Sequence, residues 1–316
     1  MEAGPLTVTV ALLGASAIAE KHARNLLVLP KVAVRGVHSR SLGRARDFAA
    51  RLGIEAATDD LEVLLGDTGI DAVVVASEPD RHVELASRAL AAGKHVLLEK
   101  PLDCDLGRAR AFAVEAEAFP GVVSVVSQKR FDPVLLDMKG RLEGAGPALV
   151  HLGMMWRRDG AYYRHGSGWR ADGSDFFLNH AIHWLDVLNW FFGEPTEVRA
   201  FSLAGREGIG SKDRGVGILC YDDGTMASLY GGTFCDKPHV DRFTVFVEGE
   251  SIDYQDLRAT GVPSGRLGRL FASPPAAFDP LAPQVEDFVA AIRDKRPPRT
   301  TVGDALKALE LAKALS

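Results

Sequence analysis

The stretch TVTVALLGASAIAEKHARNLL, residues 7–27, frames the whole chain. An apolar run of strand length reaches Gly14, and an alanine-rich helical pattern follows at once. Strand, glycine and helix in that order open a dinucleotide-binding βαβ unit, whose loop reads G-x-G-x-x-G/A. Gly14 takes the first place and Ala19 the third, but Ser16 stands where the middle glycine belongs. The helix start that follows, Ala17 and Ile18, offers backbone N–H groups and the positive end of a dipole to an anion. Ser16 adds a Cβ and a hydroxyl where a pyrophosphate approaches. Three readings stay open on this stretch alone: a working cofactor loop, a degenerate one, or a plain strand-to-helix turn.

The first ~120 residues continue the same alternation, which is the signature of a parallel sheet wound on both faces. KVAVRGV, DAVVVAS, KHVLLEKP and VVSVVSQ read as strands; LGRARDFAARLG, PDRHVELASRALAAG and LGRARAFAVEAEAF read as helices between them. From about Gln128 the pattern changes to strand-like runs joined by turns, ALVHLGMMW, EVRAFSLAG, VGILCYDD, TMASLYGGTF and RFTVFVEGE. Among them residues 177–193, FLNHAIHWLDVLNWFFG, form one strong helix, and two more helices close the sequence around a Pro-rich turn. The expected fold is therefore α/β: a Rossmann domain over residues 1–122, then an α+β domain over 123–316 with a mainly antiparallel sheet.

With 316 residues, 47% hydrophobic and 25% charged, the chain has the composition of a globular protein with two cores. A net charge of −5 gives no reason to expect nucleic acid or an anionic membrane as partner. The three cysteines, Cys104, Cys220 and Cys235, have no metal-site spacing and point to a reducing compartment. MEAGPLTVTV lacks the pattern of a signal peptide, and the longest apolar runs are strand-sized, so the cytoplasm is expected.

Three further places carry chemistry. After the second strand comes His38-Ser39-Arg40-Ser41, with no carboxylate for the ribose hydroxyls of NAD. A hydroxyl and a guanidinium there, Ser39 and Arg40, suit the 2′-phosphate of NADP. Glu99-Lys100-Pro101 follows a buried strand, where ligands of doubly wound sheets lie, and a partly desolvated Lys100 is fit for proton transfer. On the strong helix, Asn179 and His183 project within ~40° of each other, and Asp186 stands one turn on as an orienting acceptor for His183. No third strong ligand accompanies His180 and His183, so no metal is expected. Trp156, Arg157, Arg158, Tyr162, Tyr163 and Trp169 gather ahead of that helix. They fit a sugar face, a carboxylate, a lid or a subunit contact.

These pieces occur in a fixed order, and that order resembles the Gfo/Idh/MocA family of NAD(P)-dependent oxidoreductases across nearly the whole chain. The resemblance runs through GASAIA, HSRSLGRARDFAARLG, DDLEVLLGDTGIDAVVVASEPDRH, AGKHVLLEKPL, QKRFDP, GWRADGSDFFLNHAIHWLDVLNWFFG and DFVAAIRDKRPPRTTVGDALKALELAKAL. It implies a C-terminal domain with a large open sheet that forms a homodimer or homotetramer. Lys100 would be the catalytic lysine, His183 its acid/base partner, and Asn179 would hold a substrate hydroxyl. Gly14, Ser16, Ala17, Ile18, Ser39, Arg40, Ala76, Ser77, Glu78, Pro79, His82, Glu99, Lys100, Gln128, Trp169 and Arg170 would border the cofactor. Lys100, Arg130, Tyr163, Asn179 and His183 would meet the substrate. Three places depart from the family pattern: Ser16, Asn179 where aspartate is frequent, and Gly173-Ser174-Asp175 in place of a glycine-rich run.

The implied activity is hydride transfer between NADP(H), or NAD(H), and a hydroxyl or carbonyl of a sugar, polyol or related small molecule. Two rivals share the fold: a cofactor- or sugar-binding regulator without turnover, and a hydrolase or epimerase that uses NAD transiently.

Overall fold

The computed structural model describes residues 7–164, 169–172, 174–205, 209–256 and 279–316. The opening MEAGPL and Gly173 of the Gly-Ser-Asp run lie outside them. Two compact units emerge. The first runs through Gln128 and adds Asp279–Leu306; the second starts at Lys129 and adds Lys307–Ser316.

In the first unit, β1 (Val8–Leu13), β2 (Val32–His38), β3 (Ala56–Thr58), β4 (Ala72–Val75), β5 (His95–Leu98) and β6 (Val123–Val125) form one sheet. Its order is β3-β2-β1-β4-β5-β6, and every pairing is parallel. This is the doubly wound order, with its switch point between β1 and β4. The strands at the centre are buried on both faces, which is why β4 reads AVVV without alternation. Helices α1 (Ala17–Leu27), α2 (Leu42–Leu52), α3 (Leu61–Leu65), α4 (His82–Ala91) and α5 (Leu106–Ala118) connect them. Side chains of Ser16, Ser41, Asp60 and Asp105 cap α1, α2, α3 and α5, and Gly53 in a left-handed conformation ends α2.

The second unit opens with α6 (Pro133–Leu142), β7 (Leu149–Arg157), α7 (Gly160–Arg164), α8 (Trp169–Asp172) and α9 (Ile182–Phe192). Then come β8 (Glu197–Leu203), β9 (Arg214–Cys220), β10 (Met226–Gly232), β11 (Phe234–Val247) and β12 (Glu250–Asp256). The sheet order is β12-β11-β7-β10-β9-β8; only β10 and β7 pair in parallel, so the sheet is mainly antiparallel as expected. One face of the sheet carries α9, with Trp184 against Phe243 and Tyr254. The other face exposes Leu149, Phe201, Leu203, Val216, Ile218, Met226 and Phe246.

The helix α10 (Leu281–Asp294) departs from the division at residue 123, whereas α11 (Val302–Leu315) runs on from the first unit into the second. Leu281, Val285, Phe288, Val289 and Ile292 of α10 enter the same buried cluster as Val8, Val10, Leu12, Ala23 and Leu26. Arg293 donates to the carbonyls of Pro30 and Lys31, and Gln284 donates to Val125 and accepts from the Ser127 N–H. The chain therefore returns to its first unit after the second sheet. No helix among the described residues is long and apolar enough to cross a membrane.

A buried ionic group organises the second unit. The carboxylate of Asp241 on β11 is fully buried and accepts from two indoles, Trp156 Nε1 at 2.7 Å and Trp184 Nε1 at 2.6 Å. Lys129 Nζ lies 3.7 Å from the same carboxylate and 4.0 Å from the Trp184 ring centroid. Burying such a pair is tolerable only when further donors occupy the remaining lone pairs, which the two indoles do.

Candidate active site

In the first unit the candidate residues collect beyond the carboxyl ends of β1, β2, β4 and β5. Gly14 has φ +133°, and a Cβ there would stand 2.4 Å from the Ala76 carbonyl oxygen. Only glycine permits this approach of the β1 turn to the end of β4. Ser16 then closes the turn from both sides. Its hydroxyl accepts the Ala19 N–H at 3.2 Å as a helix cap and donates to Ala76 O at 3.0 Å. The residue that seemed to damage the loop thus ties it to β4.

At the end of β2, Ser39 is buried, and its N–H donates to Thr58 O. Arg40 is exposed, with its guanidinium 3.4 Å from Glu78 Oε2. The sequence offers no acid after β2, yet the fold brings one beside Arg40 from the end of β4.

His82, expected at the edge of the cofactor, is instead buried at the start of α4. Its Nδ1 donates to Pro101 O at 2.7 Å, and the Ser77 carbonyl lies 3.2 Å from Nε2. The imidazole therefore clamps the loop after β4 to the loop after β5. The Lys100–Pro101 peptide is cis. Glu99 accepts from the Lys100 N–H at 3.1 Å through one oxygen and meets His22 Nε2 at 2.8 Å through the other. His22, on α1, is fully buried, and the sequence reading passed over it. A signal was present: it is the polar member of the stripe Ala19, His22, Ala23, Leu26, which faces the core. The Glu99 carboxylate, gripped by His22, fixes the backbone from which Lys100 projects.

The second unit holds the other candidates. Residues Phe177–Ala181 wind as a π-helix before α9 begins, a local widening common at functional sites. The regular 100° spacing between Asn179 and His183 does not apply across it. Asn179 is buried and its amide meets the Tyr162 hydroxyl, with Nδ2 donating at 3.1 Å. Between Phe176 and Leu188, His183 is the one residue not buried. Both oxygens of Asp186 accept from Arg130, Nε at 2.9 Å and Nη2 at 2.7 Å, in a buried bidentate pair. The Arg130 charge, expected at the substrate, is engaged within the unit. Tyr163 is also turned inward, with its hydroxyl 2.6 Å from Thr233 Oγ1; its neighbour Tyr162 is the one that reaches Asn179. Trp169 and Arg170 form α8, where the guanidinium stacks over Trp169 and Tyr162.

The comparison with known families agrees with both halves. A profile described as "Oxidoreductase family, NAD-binding Rossmann fold" matches residues 8–127, and the "GFO/IDH/MocA C-terminal domain" matches residues 147–253. The chain belongs to the Gfo/Idh/MocA family. Among Gfo/Idh/MocA relatives, the scyllo-inositol 2-dehydrogenase (NAD(+)) of Bacillus subtilis (strain 168) is 28% identical over 236 residues. That alignment spans 70% of this chain and 66% of the relative. An inositol 2-dehydrogenase of Acidothermus cellulolyticus is 35% identical over 207 residues, 63% of this chain and 58% of the relative. In fold, the chain is similar to the crystal structure of a probable dehydrogenase from Thermotoga maritima, with TM-score 0.83, 24% identity and 98% and 95% of the two chains covered.

Three imidazoles of the first unit give it a pH dependence. Burial pushes the pKa of His38, His82 and His95 below the usual value of 6.5. For His82 this burial outweighs the carbonyls of Pro101 and Ser77, which favour the proton. His95 Nδ1 accepts from the Val122 N–H, a bond that protonation would break. A histidine with a lowered folded pKa contributes stability that is complete above its unfolded pKa and is lost as pH falls below it. The melting temperature should therefore fall as pH drops from about 7 to about 5.5. His82→Gln should flatten that slope in a series of thermal scans; an unchanged slope would remove His82 from the account.

Proposed function

We propose that this chain is a dehydrogenase that moves hydride between a nicotinamide dinucleotide and a hydroxyl-bearing carbon of a sugar or polyol. The observation that carries the reading is the Glu99-Lys100-Pro101 turn at the carboxyl end of β5, on the same edge of the sheet as the Gly14 turn of β1, with β4 between them. The Gly14 turn has the build a dinucleotide loop requires, since it draws the end of β1 against the Ala76 backbone, where a Cβ at residue 14 would stand 2.4 Å from the carbonyl oxygen. Bound there, the nicotinamide supplies a hydride acceptor. Lys100 takes the proton from the substrate hydroxyl as a general base, so that the carbon can release hydride. His183, left accessible on an otherwise buried stretch, exchanges that proton with solvent, and Asn179 holds a neighbouring hydroxyl. Relatives named as inositol dehydrogenases support the polyol substrate class.

NADP(H) is the proposed cofactor form, on the strength of Ser39 and Arg40 at the end of β2. The pair of Arg40 with Glu78 is exposed, and such pairs hold by only ~0–1 kcal/mol, so a 2′-phosphate competes readily. The NAD(+) in the Bacillus subtilis relative's name favours the other form. Steady-state rates decide: Arg40→Ala should raise KM for NADP by about tenfold or more and leave KM for NAD nearly unchanged. Equal effects on both would assign NAD.

Lys100→Ala should lower kcat by about a thousandfold while fluorescence titration still detects bound cofactor. Near-normal turnover in that variant would refute the assignment.

The exposed sheet face is proposed to be covered by a second copy of the chain. Phe201, Val216 and Tyr230 stand in register across β8, β9 and β10, and Leu149 lies between Met226 and Phe246. A contiguous apolar face of this kind is rare on monomers. Sedimentation should find an oligomer that Phe201→Glu with Ile218→Glu dissociates; a monomeric parent would exclude it.

A further inference from the structure

Helix α1 joins the dinucleotide turn to the turn that bears Lys100. At its head, the Ser16 hydroxyl caps it and donates to Ala76 O, so the helix starts from a fixed point beside Gly14. Further along, its buried face carries His22 among Ala19, Ala23 and Leu26. His22 is fully buried, and its Nε2 stands 2.8 Å from Glu99 Oε1. The second oxygen of Glu99 accepts the Lys100 N–H at 3.1 Å. One helix therefore holds the cofactor turn at its start and reaches the base through a single imidazole.

The ring's other nitrogen shows what that imidazole is for. A carboxylate accepts and cannot donate, so Nε2 carries the proton. His22 Nδ1 is buried and meets no partner among the described residues. A proton there would be a second buried donor with nothing to receive it, so the ring serves Glu99 alone. An apolar residue would pack α1 on the sheet without burying a polar group. The histidine brings instead a hydrogen bond to a charged acceptor, one of the stronger kinds. The far side of the turn is held separately, because His82 Nδ1 donates to Pro101 O at 2.7 Å. Loss of His22 would free the Glu99 side only.

We propose, on the dehydrogenase reading above, that His22 is a positioning residue. Through Glu99 it sets the Lys100 base in register with the dinucleotide turn at the head of α1. The proton and the hydride leave adjacent atoms of one substrate, so base and hydride acceptor must keep a fixed separation.

The test uses the full-length protein and two amides that differ in reach. The Nε2 of glutamine can stand where the ring Nε2 stands; the Nδ2 of asparagine falls short of Glu99. His22→Asn should lower kcat on myo-inositol about 10- to 100-fold, the cost of misplacing a base by about 1 Å. KM and cofactor affinity, from fluorescence titration, should stay nearly unchanged. His22→Gln should recover most of the lost kcat. On a Lys100→Ala background His22→Asn should cost nothing further, since the group it positions is gone. Amide hydrogen exchange at Lys100, read by NMR, should be slow in the parent and in His22→Gln and about tenfold or more faster in His22→Asn. Should the asparagine variant fail to fold, His22→Leu fills the same space without a donor and carries the same expectations. An unchanged kcat in His22→Asn overturns the inference, as does fast exchange at Lys100 in the parent. An equal loss in both amides, or on the Lys100→Ala background, marks a merely structural role and also overturns it. If the parent turns nothing over although cofactor binds, the dehydrogenase reading fails. Hydrogen exchange then still decides: faster exchange in His22→Asn but not in His22→Gln sustains the coupling, and one rate in all three removes it.

Discussion

The close approach of Gly14 to the Ala76 carbonyl governs the first unit. A Cβ at 2.4 Å from that oxygen is impossible, so β1 can turn there only on glycine. The neighbouring contacts depend on that approach. Ser16 reaches Ala76 because the turn is tight, and it caps α1 with the same hydroxyl. His82 ties the next segment to Pro101, and Glu99 links α1 to the Lys100 backbone through His22. Each bond joins a different crossover of the sheet to the same corner. A rigid corner is what proton and hydride transfer demand, since their rates depend on sub-ångström placement.

The second unit solves a different problem with buried charge. Asp241 and Asp186 are both buried, and each has a cation from the QKRFDP segment beside it, Lys129 and Arg130. Asp132 of the same segment caps α6 and accepts from the Tyr254 hydroxyl. One short run of sequence thus fastens four elements, α6, α9, β11 and β12. Two indole donors on Asp241 and the bidentate geometry at Asp186 satisfy the carboxylates, which is the condition under which buried ions specify one packing. The outcome is a firm base for the π-helical turn and α9, from which His183 remains accessible.

Between these two frameworks the chain varies in chemistry rather than in fold. Ser16 keeps the dinucleotide turn by a side-chain bond where glycine is usual. Asn179 meets Tyr162 with no charge of its own, and two arginines stack on the same tyrosine.

Local patterns in the chain were enough to determine the doubly wound first unit and the antiparallel sheet of the second. Burial on both faces makes parallel strands continuously apolar, and half-buried strands alternate, so neighbours in sequence carry the information. The Gly14 turn, the Lys100 turn and the helix with His183 were legible for the same reason. Tertiary structure alone decided which groups meet. Ser16 and Ala76 are 60 residues apart, His22 and Glu99 are 77 apart, and no local pattern names such partners. The amphipathic stripe of α10 showed that the helix packs, but not that it packs on the first unit. Tyr162 and Tyr163 are adjacent in sequence, yet one faces Asn179 and the other Thr233, because a single helical step separates their directions. Asp186 was read as the support of His183, while packing brought Arg130 to both its oxygens from 56 residues away. Side-chain partners of this kind are fixed by three-dimensional packing, which periodicity along the chain does not encode.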